Sequence, residues 1–191
     1  MSAIVSKNFK LDRERGGQLE RARSYPYEFP MKSYTYRDGC ASTFEPMLDQ
    51  GRTPVLAFGS NQSPMRLRQK YGHDADTVIP VERAHLKGFD VVYTARIASY
   101  GAVPAMLQAH AGAEVSLAVT WLNDRQLTVM HESEGVGVNY DFALLENIEI
   151  LLDQGDQLDD VYVYASRHGH FVHDKDAVAL AAVAAKGRSW P

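Results

Sequence analysis

Val55-Leu56-Ala57-Phe58-Gly59-Ser60-Asn61-Gln62-Ser63-Pro64 is the stretch on which the reading of this sequence turns. Four apolar residues in a row are long enough for a buried strand, and they end at a glycine. Gly59 permits a sharp turn and, lacking a side chain, lets a ligand approach the main chain. Ser63 suits the N-cap of a following helix, Pro64 its first position, and Gly72 its end. A strand that breaks directly into a helix leaves unpaired N–H groups at the junction, a setting that favours a carboxylate or a developing oxyanion. Ser60 and Asn61 add polar side chains to that space. The same composition also serves as an ordinary turn.

Downstream, Phe89, Val91 and Tyr93 alternate as a strand does. Val115, Leu117, Val119 and Trp121 alternate with Glu114, Ser116, Ala118 and Thr120, the pattern of a half-buried strand. Asn123 then caps a helix predicted over Asp124–Glu134 and stopped by Gly135. On it Leu127, Met130 and Glu134 are spaced i, i+3, i+7 and share a face. That spacing directs a carboxylate toward the core, where desolvation would raise its pKa and make it a better base near neutral pH. Its place in the last turn leaves open the alternative of a side chain frayed into solvent. Glu132 falls on another face. Val161–Ser166 and His170–Val172 are predicted strands turning at His168-Gly169, and Asp174 is predicted to cap an alanine-rich helix ending at Gly187. Strands outnumber helices and do not alternate regularly with them, which predicts an α+β fold.

Upstream, residues 1–51 read as an N-terminal extension and residues 52–191 as the domain. Lys7 to Arg23 is dense in charge and holds Gly16-Gly17, the texture of a flexible lead-in. Tyr25, Tyr27, Phe29, Tyr34 and Tyr36 are interleaved with Pro26 and Pro30. Prolines at that density oppose a helix, and the aromatic rings need an apolar surface. The segment reads as an extended arm lying on the domain or on a partner subunit, a route to a homo-oligomer.

The 191 residues suit one domain, and a hydrophobic fraction of 45% supplies a core for it. A net charge of -4 gives no overall footprint for nucleic acid or an anionic membrane. Arg66, Arg68 and Lys70 read as a solvated helix face. Cys40 is the only cysteine, which excludes an intrachain disulfide and argues against a Cys-based zinc site. His170 and His173 would face opposite sides of an extended segment, so no metal is expected. There is no P-loop, dinucleotide glycine pattern or Gly-x-Ser-x-Gly elbow, and no cofactor is expected. The first 23 residues lack an apolar signal core, and no run approaches the length that spans a bilayer. The expected location is the cytoplasm.

Phe58-Gly59-Ser60-Asn61-Gln62, after an apolar strand and before a helix, resembles the substrate loop of the gamma-glutamylcyclotransferases. Glu134-Gly135, with Tyr140 following, stands where that family places a Glu-Gly pair and a later tyrosine. Ser99-Tyr100-Gly101-Ala102-Val103-Pro104-Ala105 is similar to the segment preceding the family's strand pair. The resemblance covers roughly Pro54 to Ala165. It implies a mixed β-barrel with flanking helices and a small-molecule gamma-glutamyl substrate. It also implies Glu134 as the acid/base of a cyclisation that releases 5-oxoproline, without metal or cofactor. By the same resemblance the amides of Gly59 to Gln62 would anchor the substrate, and Tyr140 would wall the pocket. Phe58 lacks the hydroxyl of the family's usual tyrosine, Gln62 is polar where leucine or methionine is usual, and His131-Glu132 replaces Leu-Asp. The alternative is a non-catalytic small-molecule-binding or regulatory module that keeps the same pocket.

Overall fold

The computed structural model describes residues 16–46, 51–74 and 76–183. Residues 16–23 are helical (α1). Tyr34–Arg37 (β1) and Cys40–Ser42 (β2) form a hairpin, and Thr53–Ala57 (β3) runs through a 3-10 turn at Ser60–Gln62 into Pro64–Tyr71 (α2). Val78–Tyr93 (β4) and Ala105–Leu122 (β5) are the two long strands, followed by Asp124–Glu134 (α3). Tyr140–Leu145 (β6), Ile150–Leu152 (β7), Gln157–Leu158 (β8) and Val161–Ser166 (β9) come next, and Val172–His173 (β10) and Asp176–Ala177 (β11) make a small separate hairpin.

The first nine strands form one sheet, in the order β2-β1-β4-β5-β3-β9-β6, with β7 and β8 branching from β4. Its neighbours are antiparallel except β3 and β9, which run parallel and make the sheet mixed. The α+β architecture is therefore as the sequence predicts. The barrel is a different matter: among the described strands the sheet is open, with β2 and β6 at its two ends. Strand β4 spends its outer edge twice, on β1 at residues 78–81 and on β7 at residues 84–86. The register of β4 against β5 shifts between Lys87 and Phe89, around Gly88 at φ 78°. Such a bulge bends a long ribbon without closing it.

Side chains of β3 alternate between two cores. Leu56 and Phe58 enter one with Val119, Trp121 and Val163; Val55 and Ala57 enter the other with Leu67, Leu122 and Met130. Because both faces are covered, β5 is not half-buried near its end: Leu117, Ala118, Val119 and Thr120 are all 1% exposed or less. Thr120 is accommodated because its hydroxyl donates to the Val55 carbonyl. Helices α2 and α3 lie over the second core, anchored by Leu67 and Met130.

The expected boundary at residue 51 does not coincide with a break in the sheet. Residues 1–15, which carry part of the expected flexible lead-in, lie outside the described residues, while 16–23 are helical. The Tyr/Pro segment is laid on its own domain, with Tyr27, Tyr34 and Tyr36 buried, and its last four residues pair with β4. Tyr34 Oη donates to the Gln62 carbonyl at 2.9 Å and Tyr36 Oη to the Gly72 carbonyl, so the two rings brace α2 at its start and its end.

The helix expected from Asp174 is not formed in its described part. Asp174 and Lys175, at φ 48° and 75°, make the tight turn of the β10–β11 hairpin, and only a 3-10 turn follows at Ala181–Val183. Leu180 and Val183 are buried in the first core, and backbone bonds from Tyr93 to Val178 and from Leu180 to Val91 hold the chain extended along β4. Docking of two apolar side chains overrides alanine's helix preference. The expected end at Gly187 lies outside the described residues.

Candidate active site

Glu134 is the last residue of α3, and the local sequence fixes where that helix stops. The Asn123 side chain accepts from the Gln126 N–H while Gln126 accepts from the Asn123 N–H, a reciprocal cap that sets the start. At the other end Gly135 adopts φ 65°, and its N–H is taken by carbonyls of the last turn. The helix therefore runs over Asp124–Glu134, the predicted bounds, and Met130 anchors its inner face. Its last side chain turns inward rather than fraying: Glu134 is 15% exposed.

The Phe58–Asn61 loop meets it. Asn61 Nδ2 donates to Glu134 Oε1 at 3.1 Å, and Phe58, Gly59, Ser60, Asn61, Glu134 and Tyr140 line a common cavity of about 510 Å³. Gln62 is not among its walls. Its side chain is 1% exposed and turned into the protein, where Arg83 Nη1 donates to its Oε1 at 2.6 Å. Its N–H is also spent, on the Gly59 carbonyl at 3.3 Å, and that of Ser63 on Ser60 at 2.9 Å. Phe58, Gly59, Ser60 and Asn61 are the residues of this loop that line the cavity.

Gly59 is needed for closeness rather than for a left-handed backbone. Its φ is −123°, but a Cβ there would stand 2.6 Å from Tyr25 Oη and 3.2 Å from the Ala105 Cβ. Tyr25 is held in that position by the Ala105 N–H, which donates to its hydroxyl at 2.7 Å. Tyr140 reaches the Ala105 carbonyl at 3.5 Å. The strand start at Ala105 thus organises two phenols around the glycine.

Lys70 is the residue that sequence reading misplaced. Far from lying on a solvated face, its side chain is 1% exposed and ion-paired with Glu134. Its ammonium also touches Met130 Sδ at 2.9 Å. A signal was present: Leu67, Lys70 and Tyr71 are spaced i, i+3, i+4, which puts the lysine beside two apolar residues on the inner face of α2. Arg66, one turn earlier, lines the same cavity, as do Arg96, Arg21, Tyr25 and Tyr100. Arg96 makes no ion pair with a carboxylate among the described residues.

The electrostatics reverse the expected shift of Glu134. Burial alone would push its carboxyl up, but the Lys70 ammonium, hydrogen bonds from Lys70 and Asn61, and the Arg66 charge hold it below the ordinary glutamate value. Burial in turn holds the Lys70 ammonium below the ordinary lysine value, against the pull of Glu134. At neutral pH Glu134 is therefore a carboxylate. Burial raises the pKa of the phenols of Tyr25 and Tyr140, helped by the negative charge of Glu134, so both remain hydrogen-bond donors. Asn61 Oδ1 is buried without a hydrogen-bond partner among the described residues. Among those residues no group of three His, Cys, Asp or Glu side chains is placed to hold a metal ion, and no helix is long and apolar enough to cross a membrane.

No protein-family model and no curated protein matches the chain. Solved structures do. One is a gamma-glutamyl cyclotransferase. It is 16% identical, covers 61% of this chain and 68% of its own, and superposes with a TM-score of 0.47. A second is the solution structure of a protein from Arabidopsis thaliana, at 17% identity, covering 67% and 73%, with a TM-score of 0.46. A third is an uncharacterized protein from Homo sapiens, at 18% identity, covering 62% and 69%, with a TM-score of 0.48. Similarity of this degree leaves the reaction and the substrate to the chemistry of the cavity.

Proposed function

We propose that the chain is a gamma-glutamylcyclotransferase-type enzyme, cyclising a gamma-glutamyl amine or peptide to release 5-oxoproline, with Glu134 as the acid/base. The observation that carries this reading is the Asn61–Glu134 hydrogen bond, which joins the glycine loop and the carboxylate within one cavity. The substrate's α-ammonium group fits between Glu134 and the unpartnered Asn61 Oδ1, two acceptors at a site where an unsatisfied acceptor costs about 1–3 kcal/mol. Its α-carboxylate or the oxyanion takes the amides of Gly59, Ser60 and Asn61.

In this scheme Glu134 removes a proton from the α-ammonium group. The freed amine attacks the γ-carbonyl carbon and the carbonyl electrons move onto oxygen. Collapse re-forms the carbonyl and breaks the bond to the departing nitrogen, which keeps the bond's electron pair and takes its proton from Glu134, while the ring nitrogen gives up its remaining excess proton to solvent and leaves the neutral lactam. Because amine and carbonyl belong to one molecule, holding them in register supplies much of the rate. Lys70 acts on the two proton transfers in opposite directions. Its charge disfavours protonation of Glu134 and favours return of that proton to the leaving group.

The same ion pair favours a second reading, a binding or regulatory module in which Glu134 serves only as a fixed anion for the ammonium group. Release of 5-oxoproline separates the two. Purified chain incubated with gamma-glutamyl amino acids and gamma-glutamyl amines releases it if the enzyme reading holds, and binds them without release if the module reading holds.

A further inference from the structure

The cavity's third wall comes from the segment before β1. Gln18, Arg21 and Tyr25 face the same space as Asn61 and Glu134. Contacts hold the last two in place. Arg21 lies over the Tyr100 ring, with Cζ 4.3 Å from the ring centre, and its Nε donates to Tyr27 Oη at 3.3 Å. Tyr27 Oη donates in turn to Tyr100 Oη at 3.4 Å. Tyr25 Oη sits directly over Gly59, closer than a Cβ would allow. It accepts the Ala105 N–H, and no acceptor for its own proton is found among the described residues.

Among the described residues the charges in this space do not balance: Arg21, Arg66 and Arg96 line the cavity against one carboxylate, Glu134, which is already ion-paired with Lys70. None of the three guanidiniums is ion-paired to a carboxylate among the described residues. Arg66 lies near enough to Glu134 and Tyr100, and Arg96 near enough to Tyr140, to alter their proton affinity. Guanidinium groups grouped in this way match carboxylates in geometry as well as in charge.

We propose that residues 16–27 are part of the ligand site, and that Tyr25 and Arg21, together with Arg66 and Arg96, hold a ligand carrying at least two carboxylates. Tyr25 donates its phenolic proton to a carboxylate seated on the Gly59 and Ser60 amides. Arg21 and Arg96 take the second carboxylate across the cavity. The strand start at Ala105, eighty residues further on, orients the Tyr25 hydroxyl for this. The inference shares the cavity with the cyclotransferase reading and does not need its chemistry.

Glutarate tests it, with its neutral diamide and the monocarboxylate butyrate as controls. Binding is followed by calorimetry and by the amide resonances of Gly59, Ser60 and Asn61. The full chain should bind glutarate at least tenfold more tightly than butyrate and leave the diamide unbound, with shifts at those three amides. Tyr25→Phe should weaken glutarate about fivefold and Arg21→Gln about tenfold, which is about 1.4 kcal/mol. Thermal unfolding of each variant reports whether Tyr25→Phe merely loosens the fold; Arg21→Gln changes an exposed residue and decides alone if it does. Absence of glutarate binding to the full chain, equal affinity for butyrate, or wild-type affinity in both variants overturns the inference. A chain that binds glutarate as described yet never forms 5-oxoproline keeps this inference and loses the catalytic reading. A chain that turns over while both variants bind glutarate normally loses this inference alone.

Discussion

Lys70, near the end of α2, is ion-paired with Glu134, the last residue of α3, and its side chain is almost wholly removed from solvent. The two helices pack against each other over the second core, and the pair ties α2 and the loop before it to the carboxylate that ends α3. Removing one member of such a pair leaves an uncompensated buried charge, which typically costs about 3–5 kcal/mol. Glu134→Gln and Lys70→Met should each lower stability by that order in urea denaturation. The double variant should recover a large part of the loss, because it leaves no orphaned charge. Additive losses would mean that the pair carries no coupling.

The depressed pKa of Glu134 fixes the sign of one pH effect. A carboxyl held below its unfolded value contributes stability that is fully present above about pH 4.5 and is lost as the pH falls through the folded value. Urea midpoints measured from pH 6 downward should therefore fall more steeply below pH 4.5 for the natural chain than for the Glu134→Gln/Lys70→Met variant. Parallel curves would contradict the assigned shift.

Gly59 is required by contact with Tyr25. Gly59→Ala should destabilise the chain by about 1–3 kcal/mol, the usual range for an overpacked site. Combining it with Tyr25→Phe removes the nearest atom, at 2.6 Å, and should make the alanine cheaper than it is in the natural chain. Thermal unfolding of the four combinations reads this directly. An alanine tolerated equally in both backgrounds would place Tyr25 elsewhere.

Tyr36 is fully buried and its hydroxyl holds the carbonyl of Gly72, the cap of α2. Tyr36→Phe should cost about 1 kcal/mol and Tyr36→Ala about 3–5 kcal/mol in urea denaturation. Removing residues 1–50 deletes β1 and β2 from the sheet and should prevent cooperative unfolding altogether. A truncated chain with natural stability would show that the tyrosines are dispensable to the domain.

What could be read ahead from the residues is what local chemistry decides. Asn123 and Gly135 are the signals of a helix with two defined ends, and the helix runs over the expected Asp124–Glu134. Val161–Ser166 is apolar enough to be a strand in any setting, and the structure has it with those bounds. Tyr34–Arg37 has one partner, β4, more than forty residues away; its near partner, Cys40–Ser42, follows across Asp38-Gly39, a hairpin signal that the sequence reading passed over. Lys70 was hidden for another reason: a lysine is assigned to solvent until the carboxylate that would bury it is known to be adjacent, and Glu134 is 64 residues distant. The direction of the Glu134 pKa shift failed with it. Burial was foreseen and its partner was not. The alanines after Asp174 were misread because Leu180 and Val183 gain more by docking beside β4 than the segment gains as a helix.

The most direct measurement is the rate of 5-oxoproline formation from a gamma-glutamyl amino acid by the natural chain and by the Glu134→Gln/Lys70→Met variant, compared at matched stability. A role for Glu134 in both proton transfers predicts steady release by the natural chain and a loss of about 10²–10⁴-fold in the variant. Release that is undiminished in the variant, or no release by the natural chain from any gamma-glutamyl compound it binds, would contradict it.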